Sequence, residues 1–180
     1  LEQRSRDHQH LPVCTRRERR MGIKDSSDKG PEKGAGVAGP FKGFKTHLYE
    51  GGIRSSLVAW GPAIITKKNT VNRESVFSAI DLVPTLLDLA GAEHPQGVRF
   101  DGESLPDVLT AASTASRKKP IFFRRPPDRD SFYGIKDLPD LAVRHGKWKL
   151  LCEYDGSHPE LYDMQTDRGE TINVASNHPQ

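Results

Sequence analysis

Cysteine is nearly missing from this 180-residue chain: there are 2, Cys14 and Cys152, toward opposite ends and in unlike surroundings. That excludes a disulfide framework, and it excludes a paired-cysteine metal site recognisable from spacing. Long apolar runs are missing as well, and no stretch approaches the ~20 residues that a membrane-crossing helix requires. No membrane partner is therefore expected. Apolar residues make up 34% of the chain, aromatics 7%, and the mean hydropathy is −0.66. With so little apolar material, part of the chain is expected to lie outside any packed core. Residues 1–20 carry arginines but no apolar segment behind them, so no signal peptide is expected there.

The charge that is present is unevenly placed. The net +3 resides in residues 1–20, where Arg4, Arg6, Arg16, Arg17, Arg19 and Arg20 outnumber Glu2, Asp7 and Glu18. The cluster Arg16-Arg17-Glu18-Arg19-Arg20 has the charge to meet nucleic acid. It has no interleaved aromatics and no accompanying binding motif, so it reads as a solvated tail, and nucleic acid is not expected as a partner. His8 and His10 alternate as two metal ligands would, but no third ligand lies near them.

Residues 1–35 read as linker or tail, and 112–119 as a polar linker after which strand-like patterns take over. Gly34 to Gly43 is a glycine-rich loop without the strand before it and the helix after it that a phosphate-cradling loop requires. Leu57 to Trp60, stopped by Gly61-Pro62, is predicted to be a buried strand. A helix is predicted from Asp81 as cap, through Pro84 in the first turn, to Gly91 at its end. Leu82, Val83, Leu86, Leu87, Leu89 and Ala90 cover more than half of its circumference, which predicts burial against a sheet. Leu105 to Ala111 is predicted as a short helix capped by Ser104. Beyond the linker, a strand is predicted from Pro120 to Phe123. A hairpin follows, from Leu141–Arg144 through a His145-Gly146 turn to Lys147–Glu153. In its second strand Trp148 and Leu150 are assigned to the covered face, Lys147 and Lys149 to solvent. A short strand over Leu161–Met164 and a helical turn near Asn173–Ala175 complete the reading.

The stretch around which these pieces are organised is Lys45 to Arg54, KTHLYEGGIR. It joins a lysine to a double-glycine turn, and the turn to an apolar run. Lys45, five positions ahead of Glu50-Gly51-Gly52, is placed to be held rigidly and aimed at an anion. Glu50 and Arg54 are read as fixing the turn.

Several blocks in order resemble one family. Ser26-Ser27-Asp28-Lys29-Gly30-Pro31, then Ala38 to Lys45, then Tyr49-Glu50-Gly51-Gly52-Ile53-Arg54, are similar to the late part of a sulfatase catalytic domain. So are Asp81 to Gly91 and Asp101-Gly102-Glu103-Ser104-Leu105. Val143 to Leu150 and Glu160-Leu161-Tyr162-Asp163 resemble the small C-terminal subdomain of the arylsulfatase-like enzymes. The likeness spans about residues 26–175, which leaves 1–25 as a basic tail outside the fold, and it implies the late part of an α/β, alkaline-phosphatase-like mixed-sheet domain over 26–111, a linker over 112–119 and a small antiparallel α+β subdomain over 120–180. It implies hydrolysis of sulfate esters through a formylglycine nucleophile, with Ca²⁺ as cofactor and a sulfate ester or sulfated glycan as substrate. Such enzymes are often secreted, periplasmic or lysosomal. On this resemblance Lys45 is the sulfate-contacting lysine and Asp28 a ligand of the metal.

The departures are as specific as the likeness. Formylglycine is made in a C-x-P-x-R or S-x-P-x-R motif, whereas Cys14 stands in Cys14-Thr15-Arg16-Arg17-Glu18. No catalytic nucleophile is assigned, and formylglycine is expected to be absent from these residues. Where the family pairs Asp with Asn, Asp28 is followed by Lys29, a cationic donor with no lone pair for a metal. The chain is thus expected to be the C-terminal portion of a longer sulfatase, with the N-terminal half as a partner and without turnover of its own. Two alternatives are a non-catalytic binder of sulfated glycans, and a phosphatase or phosphodiesterase of the same superfold.

Overall fold

The computed structural model describes residues 38–65, 67, 69–125 and 138–178. The tail with its arginines, the histidine pair, Cys14, Asp28 and Lys29 all fall outside the described residues.

The described residues form an antiparallel sheet in simple sequential order, built from β1 (Ile121–Arg124), β2 (Leu141–His145), β3 (Trp148–Cys152) and β4 (Glu160–Asp163). The hairpin turn lies one position later than the sequence predicts. His145 pairs with Trp148, so Gly146 and Lys147 form the two-residue connection, with Gly146 at φ +54°. Of the two connecting residues only Gly146 takes positive φ, and glycine is favoured at such a first central position because it has no Cβ to clash there.

The covered face of the sheet is also the opposite of the predicted one. Lys149 and Leu151 are fully buried, while Trp148 and Leu150 are only half-buried. Neighbouring Leu150 and Leu151 give both faces of the strand an apolar residue, so alternation alone does not decide which face is covered. What decides it is the partner. Residues 42–53 pack against the Lys149 face, and Leu48, Tyr49, Ala142, Leu151, Tyr162 and Met164 make one core with Ile53, Phe123 and Leu138 at its margin. Burial of Leu151 alone contributes about 1.5–3 kcal/mol.

Among the described residues three short helices accompany the sheet: α1 (Glu50–Ile53), α2 (Leu82–Leu89) and α3 (Pro106–Leu109). Ahead of α2 runs a 3₁₀ turn, Ala79–Asp81, closed by a reciprocal capping box between Ser78 and Asp81. Asp81 therefore does not cap α2 with its side chain, as the sequence suggests. Its carboxylate is fully buried and accepts from the Ser78 N–H at 2.8 Å, the Glu103 N–H at 2.8 Å and Arg117 Nη1 at 2.7 Å. Arg117, within the predicted linker, anchors that segment in this way. Ser104 likewise caps nothing; its hydroxyl donates to Asp88 at the far end of α2, and Leu105 is the residue that precedes α3.

Two predicted burials are not observed. Leu57, Val58 and Trp60 are exposed, Val58 at 68%, and no strand of the sheet includes them. Val83 of α2 is 53% exposed, since α2 packs on α3 and the 3₁₀ turn rather than on a sheet. Both apolar surfaces lack a facing element among the described residues. A final 3₁₀ turn, Ala175–Asn177, falls two positions later than predicted.

Candidate functional site

Lys45 sits at the tip of a four-residue turn closed by the His47 N–H donating to Phe44 O at 2.9 Å. The next residue, Thr46, has φ +80°. A β-branched residue is rare in left-handed backbone, and holding it there costs on the order of 1–3 kcal/mol, so the surrounding packing must impose the shape.

That packing comes from the double glycine. A methyl group on Gly52 would lie 2.1 Å from His47 O and 2.6 Å from Phe44 O; on Gly51 it would lie 2.3 Å from Gly43 O. The turn carrying Lys45 thus rests directly on the backbone of α1, at a distance only glycine permits. Gly51 completes the seat by donating its N–H to Lys42 O at 2.8 Å.

Glu50 opens α1 and does not point to solvent. Its Oε1 accepts from Lys149 Nζ at 3.1 Å and its Oε2 from Arg54 at 3.1 Å. Lys149 also lies 2.8 Å from Glu170 Oε1, and Glu170 Oε2 accepts the backbone N–H of Glu50 at 2.6 Å. Burial pushes the Glu170 carboxyl above the usual carboxylate range, and the Lys149 ammonium only partly offsets this. The reading of Glu50 and Arg54 as residues that fix the turn agrees with these contacts.

A second polar cluster ties the start of the loop to β4. Lys42 Nζ lies 3.0 Å from Glu160 Oε2, donates to the Tyr162 hydroxyl at 2.8 Å, and stands 4.0 Å from the centre of the Tyr49 ring. Tyr49 donates to Glu160 Oε1 at 2.8 Å, and Tyr162 donates to Oε2 of the same carboxylate. Burial alone would raise the Glu160 carboxyl, but these donors outweigh it and hold the group below its ordinary value. Between the clusters, His47 is buried against Phe44, with ring centroids 3.9 Å apart, and neither ring nitrogen has a hydrogen-bond partner. Burial, reinforced by Arg125, lowers its pKa to about 4, so the imidazole is neutral near pH 7.

Beside α1 lies a hollow lined by Ala38, Phe41, Glu50, Gly51, Arg54, Ser55 and Ser56. Arg54 stacks over the Phe41 ring at 4.9 Å while it pairs with Glu50. Cationic, hydroxyl and aromatic groups so arranged suit a polar or anionic ligand.

Of the residues singled out in the sequence, Lys45 is thus described and Asp28 is not. Among the described residues no group of three or more His, Cys, Asp or Glu side chains converges as metal ligands would. Burial, and then Glu153 and Asp155, push the Cys152 thiol above its ordinary value, which disfavours the thiolate. Among the described residues no helix is long and apolar enough to cross a membrane. Lys149, Glu170, Lys42 and Glu160 were not distinguishable as site residues in the sequence; a lysine beside two leucines in a strand was the one available sign of the first.

Comparison with known proteins gives a consistent outcome. Residues 39–180 match the family model described as N-sulphoglucosamine sulphohydrolase, C-terminal. The chain is 32% identical over 160 residues to a sulfatase of Formosa agariphila, covering 85% of this chain and 28% of that protein. It is 34% identical over 142 residues to arylsulfatase K of Mus musculus, covering 76% and 24%. The chain thus spans about a quarter of the length of these relatives. A solved structure described under the metabolism of multiple glycosaminoglycans by Bacteroides thetaiotaomicron superposes with a TM-score of 0.60 at 28% identity, covering 82% of this chain and 30% of that one.

Proposed function

This chain belongs to the sulfatases as a C-terminal portion of the family fold, and from that membership we propose that it supplies the sulfate-contacting limb of an enzyme hydrolysing sulfate esters on a glycan. The observation that carries the reading is Lys45 on a strained turn seated on Gly51-Gly52. A compact ammonium held at a fixed place is suited to a sulfate oxygen, and a charge-assisted contact is about twice as strong as a neutral one. Fixing the lysine before the substrate arrives removes the entropic cost of ordering it afterwards.

The glycan is favoured because the family description names a sulphated glucosamine and the superposed Bacteroides structure is described under glycosaminoglycan metabolism. Within these 180 residues neither Cys14 nor Cys152 stands in a formylglycine motif. The reading therefore assigns binding to this chain and ester cleavage to the chain joined with a nucleophile-bearing half. Ca²⁺ would belong to that joined site.

Titration calorimetry with a sulfated glycosaminoglycan oligosaccharide and its desulfated counterpart tests the proposal, alongside turnover of an aryl sulfate with Ca²⁺ present. Binding of the sulfated oligosaccharide only, with no turnover, is the expected pair of results. Equal binding of both oligosaccharides, or turnover by this chain alone, contradicts it.

A further inference from the structure

We propose that Lys149 is a positioning residue for the sulfate-contacting turn, acting through Glu50 and Glu170; this rests on the assignment of sulfate contact to Lys45. Lys149 is fully buried on β3, Glu170 is nearly so, and Glu50 is 9% exposed. Two carboxylates around one ammonium, removed from water, are an expensive way to hold a core together. Apolar side chains of the same volume often do as well or better, so stability alone does not account for the cluster.

Its geometry does. Lys149 Nζ reaches Glu50 Oε1 at 3.1 Å and Glu170 Oε1 at 2.8 Å, while Glu170 Oε2 takes the Glu50 N–H at 2.6 Å. Glu50 is thereby fixed at both side chain and backbone. Gly51 and Gly52 follow it directly, and Gly52 lies against Phe44 O and His47 O, the two ends of the turn with Lys45 at its tip. A displacement of Glu50 must therefore be felt at the turn, because no side chain stands between them to absorb it. The C-terminal sheet sets where Lys45 stands, although no residue of that sheet need touch sulfate.

Residue-resolved hydrogen exchange on the full 180-residue chain tests this. In Lys149→Met, the amides of His47, Gly51 and Gly52 should lose protection about tenfold or more beyond any change in the β2–β3 amides, a local opening rather than a global one. Leu151→Ala, on the same face of β3, is the control for simple loss of packing and should lower protection across the sheet and turn together. A Lys149→Met pattern matching that of Leu151→Ala, or unchanged protection at the turn, overturns the proposal. Should Lys149→Met fail to fold, the neutral triple variant Glu50→Gln, Lys149→Met, Glu170→Gln takes its place, with selective loss at the turn expected and wild-type protection there contradicting it. Affinity for the sulfated oligosaccharide should fall in parallel. If Lys45→Ala leaves that affinity unchanged, the sulfate reading fails, while the exchange pattern still decides whether Lys149 positions the turn.

Discussion

Glu170 Oε2 accepts the backbone N–H of Glu50 at 2.6 Å across 120 residues of sequence. The Asp167–Glu170 turn and the glycine turn after Tyr49 are therefore one structural unit, with Lys149 between them. Glu170→Ala would leave the buried Glu50 N–H without its acceptor and Lys149 with one carboxylate fewer. A loss of about 3–5 kcal/mol is expected, as for other buried pairs broken on one side. Glu170→Gln keeps an oxygen acceptor and should lose clearly less. Denaturant midpoints of the two variants check the order.

Gly52→Ala tests the seat itself. The added methyl would lie 2.1 Å from His47 O, so the Lys45 turn must lift away. Gly61→Ala, where the methyl meets nothing within 4 Å, is the matched control. The first should weaken binding of a sulfated oligosaccharide about tenfold or more and lower stability by a few kcal/mol, the second neither. Calorimetry and thermal unfolding measure both.

Arg117 and Asp81 form the corresponding buried pair of the helical portion, 2.7 Å apart with side chains 2% and 0% exposed. Asp81→Ala strands the guanidinium and two backbone N–H groups, and about 3–5 kcal/mol should be lost. Asp81→Asn retains an oxygen for an amide and should lose less. Sulfated-oligosaccharide affinity should change little for any Asp81→Asn protein that remains folded, since the partners of this pair are Ser78, Glu103 and Lys119 and not the Lys45 turn.

His47 gives the pH dependence a sign. Its pKa falls from the ordinary 6.5 to about 4 in the fold. Above 6.5 the ring is neutral folded or unfolded, and its burial opposes nothing. As pH falls from 6.5 toward 4, the unfolded chain takes up a proton that the fold refuses, so stability drops. His47→Phe should flatten this part of the stability profile. Identical slopes for the two proteins between these pH values would exclude His47 as the cause.

Part of this arrangement was legible in the sequence. The strands from Ile121, Leu141 and Glu160 follow from β-branched and aromatic runs bounded by turn residues, and α2 from Pro84 and Gly91. The order of the Lys45, Glu50-Gly51-Gly52 and Asp81–Gly91 blocks identified the family. The covered face of β3 was not legible, because Leu150 and Leu151 satisfy either choice. The buried partner of Lys149 was not legible either, for Glu50 is 99 residues away and nothing local marks it. Leu57–Trp60 has the composition of a buried strand, yet burial requires a facing element, and none stands there among the described residues.

The central claim is that Lys45, held on its glycine seat, is a contact for sulfate. The most direct test is the affinity of this chain for a sulfated glycosaminoglycan oligosaccharide, compared with Lys45→Ala at one fixed ionic strength. Loss of one charge-assisted contact of about 1.5–3 kcal/mol predicts a drop of at least about tenfold. Equal affinity of the two proteins would contradict the account.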